Sequence, residues 1–173
     1  ETQIHVGRQE LELALRSSGA GVWRWDMVHQ HLHWSQELFT LFGLDPIRDA
    51  ASFDNWSKVM HPDDRNAAHD RLDHAIRTAT RLNSDYRIVR PDGQIRWIRA
   101  LGDTTYDHLG HPVQMTGICI DATERRNSET EYQTIIQTAI DGFWINDLQG
   151  NILEVNEAYC AMTGYGHQEL VSM

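Results

Sequence analysis

Residues 85–99 read DYRIVRPDGQIRWIR. Two runs rich in β-branched, aromatic and arginine residues flank Arg90–Gln94. In that flank-to-flank step Asp92-Gly93 supplies the dipeptide that a tight hairpin turn needs. The pattern on either side has the period of two of a strand, not the 3.6 of a helix. It extends outward to strands over 82–90 and 94–106. A second turn at Asp107–Gly110 then leads to a third strand over 112–121. Strands joined by such short turns are antiparallel neighbours in one sheet.

Upstream, residues 61–79 read HPDDRNAAHDRLDHAIRTA, the clearest helix in the chain. Pro62 suits the first helical position, and Asp63 and Asp64 suit the positive end of the helix dipole. Ala68, Leu72, Ile76 and Ala79 are expected to form its apolar stripe. Residues 46–60 read as short helices and loop around Phe53, Trp56, Val59 and Met60. Nearer the start, residues 21–27 form a strand, Val28–Gln30 a turn, and residues 31–34 the returning strand with Leu32 and Trp34 facing the core. Ser35 caps a helix that runs through Phe42 and stops at Gly43. Residues 4–17 form a first helix with Ile4, Leu11 and Leu15 on one side, stopped by Ser17-Ser18-Gly19.

The chain writes its beginning twice. Residues 21–26 read GVWRWD and residues 142–147 read GFWIND. Without a gap, Gly21, Trp23, Asp26, Leu32 and Gly43 meet Gly142, Trp144, Asp147, Leu153 and Gly164, and Leu15 meets Ile136. The offset is longer than a solenoid repeat of roughly 20–50 residues and has the size of a domain. The expected organisation is an N-terminal helix over 1–18, a complete domain over 19–122, a connector helix over 123–138 and the beginning of a second domain over 139–173. In that last segment Phe143, Trp144, Ile152, Leu153 and Val155 are expected to be poorly covered, since two strands alone are marginal in water.

Composition narrows the function classes. The 173 residues are 40% apolar and 23% charged, with a formal net charge of −10. An acidic balance argues against nucleic-acid and membrane-surface roles, both of which need a Lys/Arg excess. No apolar run is long enough for a membrane span. Cys119 and Cys160 lack metal spacing and imply no disulfide framework, which fits a cytoplasmic protein. Glu1 stands where an initiator Met is absent, so a piece of a longer chain is expected. Phosphate loops, Gly-X-Ser-X-Gly, His-Glu-X-X-His and kinase signatures are all missing. No catalytic residue is assigned, and the fragment is expected not to be an enzyme.

Helix, two strands, several helices, then three strands is the order of an α+β domain. That order, with GVWRWD, LFTLFG, HPDDR, DYRIVRPDGQIRWIR and GICIDATERR in place, resembles a PAS domain with a C-terminal PAC motif. The resemblance covers residues 11–126, resumes near 132 and breaks off after MTGYGHQEL. It implies a five-stranded antiparallel sheet with helices packed on one face. It also implies a sensory module that reads a small ligand, redox state or partner and relays it through a connector helix. The expected output is a downstream histidine kinase or diguanylate cyclase. The competing expectation is a ligand-free module for dimerisation and spacing. In the family a matching Asp-X-Thr ties the sheet to the exit helix, which points to Asp121 and Thr123.

Other residues carry weaker expectations. Trp23, Trp25, Phe39, Trp56, Tyr86 and Trp97 are candidates to line a cavity between sheet and helices, unless they simply fill the core. His31 and His33, with His29, alternate on a strand at a metal-chelating spacing. They are expected to face solvent, so no metal is assigned. His69 is the haem candidate because some PAS domains hold haem through a His on that helix, while His74 sits away from the stripe. Neither cysteine sits where a photoactive flavin adduct needs one, which leaves only non-covalent flavin open. Absence of any cofactor is the expectation. Arg87, Arg90, Arg96 and Arg99 form a positive stripe expected to pair with Asp85 or Asp103. The partners expected are a second copy, met through the N-terminal helix or the second PAS segment, and the output domain.

Overall fold

The computed structural model describes residues 17–139 and 141–172. All but the last residue of the helix expected over 4–17, including Ile4, Leu11 and Leu15, lies outside the described residues. The chain divides into two compact units between Thr123 and Glu124.

The first unit is built on five antiparallel strands. They are β1 (Gly21–Asp26), β2 (His31–Trp34), β3 (Leu82–Val89), β4 (Ile95–Tyr106) and β5 (Pro112–Asp121). Their order is β2-β1-β5-β4-β3, so the two N-terminal strands join the three C-terminal ones through the β1–β5 pair. Between the two groups lie α1 (Gln36–Phe42), α2 (Phe53–Val59), a 3-10 turn (Pro62–Asp64) and α3 (Arg65–Thr78). The Asp92-Gly93 turn closes β3 onto β4, with Gly93 at φ 82°.

Local chemistry sets the boundaries. Ser35 Oγ accepts from the amide of Val22 at 3.1 Å and from that of Leu38 at 3.4 Å, so one hydroxyl caps α1 and ties it to β1. Gly43 ends α1 in the left-handed region at φ 73°, which a side chain would strain. The expected stripe on α3 needs one correction. Ala68 and Leu72 are buried, but Ala79 is exposed and terminates the helix at φ 52°, and Ala75 is buried in its place. The helix stops at Thr78, so the stripe runs i, i+4, i+7.

Alternation decides which strand residues meet the helices. Along β3, Leu82, Ser84, Tyr86 and Ile88 are buried, and along β4 Ile98 and Ala100 are. One core cluster joins Tyr86, Ile88, Ile98 and Ala100 to Trp34, Leu38, Phe39, Phe42, Val59, Met60 and Cys119, and a second joins Leu82 to Leu72, Ala75 and Met115. Trp23 lies over the β4–β5 pair formed by Gly102 and Gly117. A methyl at Gly102 would come within 2.7 Å of the indole, and one at Gly117 within 2.3 Å of it and 2.2 Å of the Leu101 carbonyl oxygen. Both glycines therefore serve close packing and not turn geometry.

The second unit, read by itself, repeats the opening of the first. It contains most of α4 (Thr123–Thr138), with β6 (Trp144–Asn146), β7 (Ile152–Val155), α5 (Glu157–Thr163) and α6 (His167–Val171). Asn156 stands where the first copy has Ser35. Its Oδ1 accepts from the amides of Phe143 at 2.8 Å and Tyr159 at 3.0 Å, and its Nδ2 donates to the carbonyls of Ile136 and Asp141, each at 3.0 Å. Asp26 and Asp147 each accept two backbone amides of the turn that follows. Gly43 and Gly164 end equivalent helices in the left-handed region. Trp144 and Leu153 are more than half exposed, as expected, but Val155 is not: it is 1% exposed, and Ile136 and Leu170 of this unit are also buried.

Candidate functional site: the exit junction and the aromatic core

The DATERR stretch turns from β5 into α4 at the edge of β4. Thr123 Oγ1 accepts from the amide of Trp97 at 2.9 Å, and the amide of Ala122 donates to the Trp97 carbonyl at 2.8 Å. Asp121 Oδ1 accepts from the Thr123 amide at 2.9 Å, and its Oδ2 accepts from the Arg96 guanidinium at 3.0 Å. Partial burial raises the Asp121 pKa, but the Thr123 hydrogen bonds and the Arg96 charge outweigh this and hold it below its ordinary value. The first turn of the exit helix is thus bonded to the β4 backbone through the Thr123 hydroxyl, while Asp121 holds the Thr123 amide and the Arg96 side chain.

A second junction was not read from the sequence. Asp64 of HPDDR accepts from the Arg87 amide at 2.7 Å and from its guanidinium at 2.7 and 2.9 Å. The Arg87 guanidinium beside Asp64 holds its carboxyl below the usual carboxylate range. The helix dipole explains Asp63 and Asp64 as residue types, but the salt bridge to β3 explains Asp64 at its position. Of the arginine stripe, Arg99 binds Asp85 at 2.8 Å as expected, Arg87 binds Asp64, Arg96 binds Asp121 and Arg90 lies 3.6 Å from Asp92, whereas Asp103 pairs at 2.9 Å with Arg81, outside the stripe.

Four of the six cavity candidates come together. Trp23, Trp25, Trp56 and Tyr86 line a cavity of about 50 Å³ between sheet and helices, with Trp34, Leu38, Ala100 and Cys119 among its other walls. Trp56 Nε1 donates to Tyr86 Oη at 3.0 Å, and Tyr86 Oη lies 3.8 Å from Cys119 Sγ. Burial pushes the Cys119 thiol up to about 12 and the Tyr86 phenol well above its ordinary value, so both are neutral.

Phe39 and Trp97 do not line it. Phe39 is buried in the core edge-to-face with Trp34, their centroids 5.3 Å apart. Trp97 has the opposite parity to the inward Ile98 and Ala100, and its ring lies 5.6 Å from the Arg87 guanidinium carbon. The outward Arg99 shares that parity, which was a legible signal. Its backbone, not its indole, serves the exit junction.

The histidines sit as follows. His31 and His33 are exposed on β2, either side of the partly covered Leu32. His69 Nε2 shares a 2.7 Å hydrogen bond with Ser57 Oγ, and its ring packs 4.9 Å from that of Trp56. It does not line the cavity, and ligand pockets for drug-sized molecules are about 300–1,000 Å³. The cavity of about 50 Å³ lies below that range.

A family model described as the PAS fold matches residues 31–119, and a second of that description matches residues 130–173. The chain belongs to the PAS fold family. Among curated relatives, the sensor protein FixL of Bradyrhizobium diazoefficiens is 25% identical over 173 residues, 95% of this chain and 34% of that protein. The probable diguanylate cyclase DgcE of Escherichia coli K12 is 27% identical over 116 residues, 67% of this chain and 10% of that protein. The PAS chain thus spans between a tenth and about a third of the length of these relatives. Among solved structures, a sensory box histidine kinase/response regulator from Burkholderia thailandensis superposes with a TM-score of 0.62 at 23% identity, covering 72% of this chain and 92% of that one. That likeness shows the fold. Among the described residues, no helix is long and apolar enough to cross a membrane.

Proposed function

We propose that the chain is a sensory signal-transduction module with one complete PAS domain over 19–122, a connector helix over 123–138 and the beginning of a second PAS domain over 139–173. In this reading it is non-catalytic and cytoplasmic, pairs with a second copy, and passes its signal to a histidine kinase or diguanylate cyclase output. The observation that carries the relay is the pair of backbone-directed hydrogen bonds at Trp97, Thr123 and Asp121. Because Thr123 is both the first residue of α4 and an acceptor for β4, a change in the sheet is felt by the helix without any long lever.

A second reading has its own support. The small cavity favours a spacer and dimerisation module whose aromatics fill their own core. Regulation in the parent protein separates the two. Thr123→Val keeps the side-chain volume and removes the acceptor for the Trp97 amide. It is expected to leave basal output intact and abolish its response to the signal. A normally regulated Thr123→Val protein defeats the relay and leaves the spacer.

A further inference from the structure

Two helix starts meet the sheet on either side of one residue pair. Arg87 and Trp97 are direct partners on β3 and β4, and both have the parity opposite to the core-facing residues. The Arg87 amide donates to Asp64 Oδ2 at 2.7 Å, and the Arg87 carbonyl accepts from the His61 amide at 2.8 Å. Asp64 is the residue from which α3 departs. The Trp97 amide donates to Thr123 Oγ1 at 2.9 Å, and the Trp97 carbonyl accepts from the Ala122 amide at 2.8 Å. Thr123 is the first residue of α4. Each backbone therefore turns toward a helix start, and neither amide donates across the strands. That makes Arg87 and Trp97 a non-hydrogen-bonded pair, the kind in which side chains approach more closely. Their direct link is the Arg87 guanidinium. Its carbon lies 5.6 Å from the Trp97 ring centre, inside the cation–π range of about 6 Å. The same guanidinium donates to both Asp64 oxygens, at 2.7 and 2.9 Å. Both partners of that ion pair are partly buried, so solvent and salt screen it only in part.

We propose that Arg87 is a positioning residue that couples the start of α3 to the start of α4. Its guanidinium holds Asp64 and the Trp97 ring together, and Trp97 in turn presents its amide to Thr123. For its use this coupling rests on the relay reading of Thr123, and it supplies that relay with an input, the His61–Asp64 turn. A displacement of α3 then reaches α4 across two strands on the outer face of the sheet, without passing through the core. Lying between two sites does not by itself couple them. A true coupling is reciprocal: loosening the Asp64 end must loosen the Thr123 end, and the reverse.

Amide hydrogen exchange of the 173-residue protein is the test, with each rate taken relative to that of Ala100 in the middle of β4. A merely structural role raises all of these rates alike, or that of Ala100 alone. Asp64→Asn should raise the relative exchange of the Trp97 and Ala122 amides several-fold. Thr123→Val should raise that of the Arg87 and His61 amides by a comparable factor. Both effects should vanish in an Arg87→Met background, which keeps the aliphatic stem and removes the charge. Trp97→Leu, which removes the ring and keeps the backbone bonds, is the second background should Arg87→Met fold poorly. Trp97 and Ala122 amides indifferent to Asp64→Asn overturn the coupling, as do effects that persist undiminished in both backgrounds. Either result leaves the Thr123 relay standing. A parent protein that regulates normally with Thr123→Val defeats the relay instead, and the reciprocal exchange pattern is untouched by it.

Discussion

Gly102→Ala separates two opposing effects at one position. Gly102 lies in a strand at ordinary φ, so backbone preference alone favours alanine there by roughly 0.5–1 kcal/mol. Packing opposes it. The added methyl meets the Trp23 ring at 2.7 Å, while its nearest backbone neighbour, the Thr116 carbonyl oxygen, is at 3.3 Å. The rigid indole must tilt, and overpacking of this kind costs about 1–3 kcal/mol. The net expectation is destabilisation of about 1–2 kcal/mol. The sign should reverse when Trp23 is first replaced by Leu, because the clash leaves with the indole and the backbone gain remains. The coupling in this double-mutant cycle is then at least about 1 kcal/mol, above the usual error of additivity. Because the chain has two units, global unfolding curves mix them. Hydrogen exchange of the β4 and β5 amides as a function of urea reports the first unit directly. A Gly102→Ala protein as stable as the parent, or more so, refutes the account of Trp23 as the reason for this glycine.

Asp121→Ala removes a carboxylate that accepts from Thr123 and Arg96, and should lower the protection of the first turn of α4 by about 1 kcal/mol in hydrogen exchange, as loss of a cap does. The depressed carboxyls of Asp64 and Asp121 contribute stability that is fully present above the unfolded carboxylate pKa of about 4 and is lost as pH falls through their lower folded values. The urea dependence of exchange at the β3–β5 amides, stepped through acid pH, should therefore show the first unit's stability falling below about pH 4, with a shallower fall in Asp64→Asn. Asn156→Ala strips two carbonyls and two amides of their partner in a fully buried place, and should cost the second unit about 2–4 kcal/mol. Exchange protection in β6 and β7 should vanish while that of β3–β5 is kept.

The hairpins, caps and duplicated opening were legible because each is written in neighbouring residues. Ser35, Gly43 and the Asp92-Gly93 turn act within a few positions of themselves. Contacts that depend on register were not legible. The Asp64–Arg87 bridge joins residues 23 apart in sequence. The glycine bed of Trp23 needs the pairing of Gly102 with Gly117 to be known. Cavity size is harder still, since it depends on the angles at which Trp25, Phe53 and Trp56 meet, and composition is silent on those. The placement of Trp97 belongs to another class. Arg99, two positions on, shares its parity, and reading that arginine as outward would have put the indole on the outer face.

The two cysteines divide between the units, and their burial makes them independent reporters. Cys119 is 3% exposed beneath the aromatic core with a thiol pushed to about 12, whereas Cys160 is half-buried in the second unit. An alkylating reagent needs the thiolate and a path to it. In the folded protein it marks Cys160 first, giving a single-site handle for a fluorophore or spin label without mutagenesis. Cys119 is marked only when the first unit opens, so the lag between the two modifications is a clock for that opening.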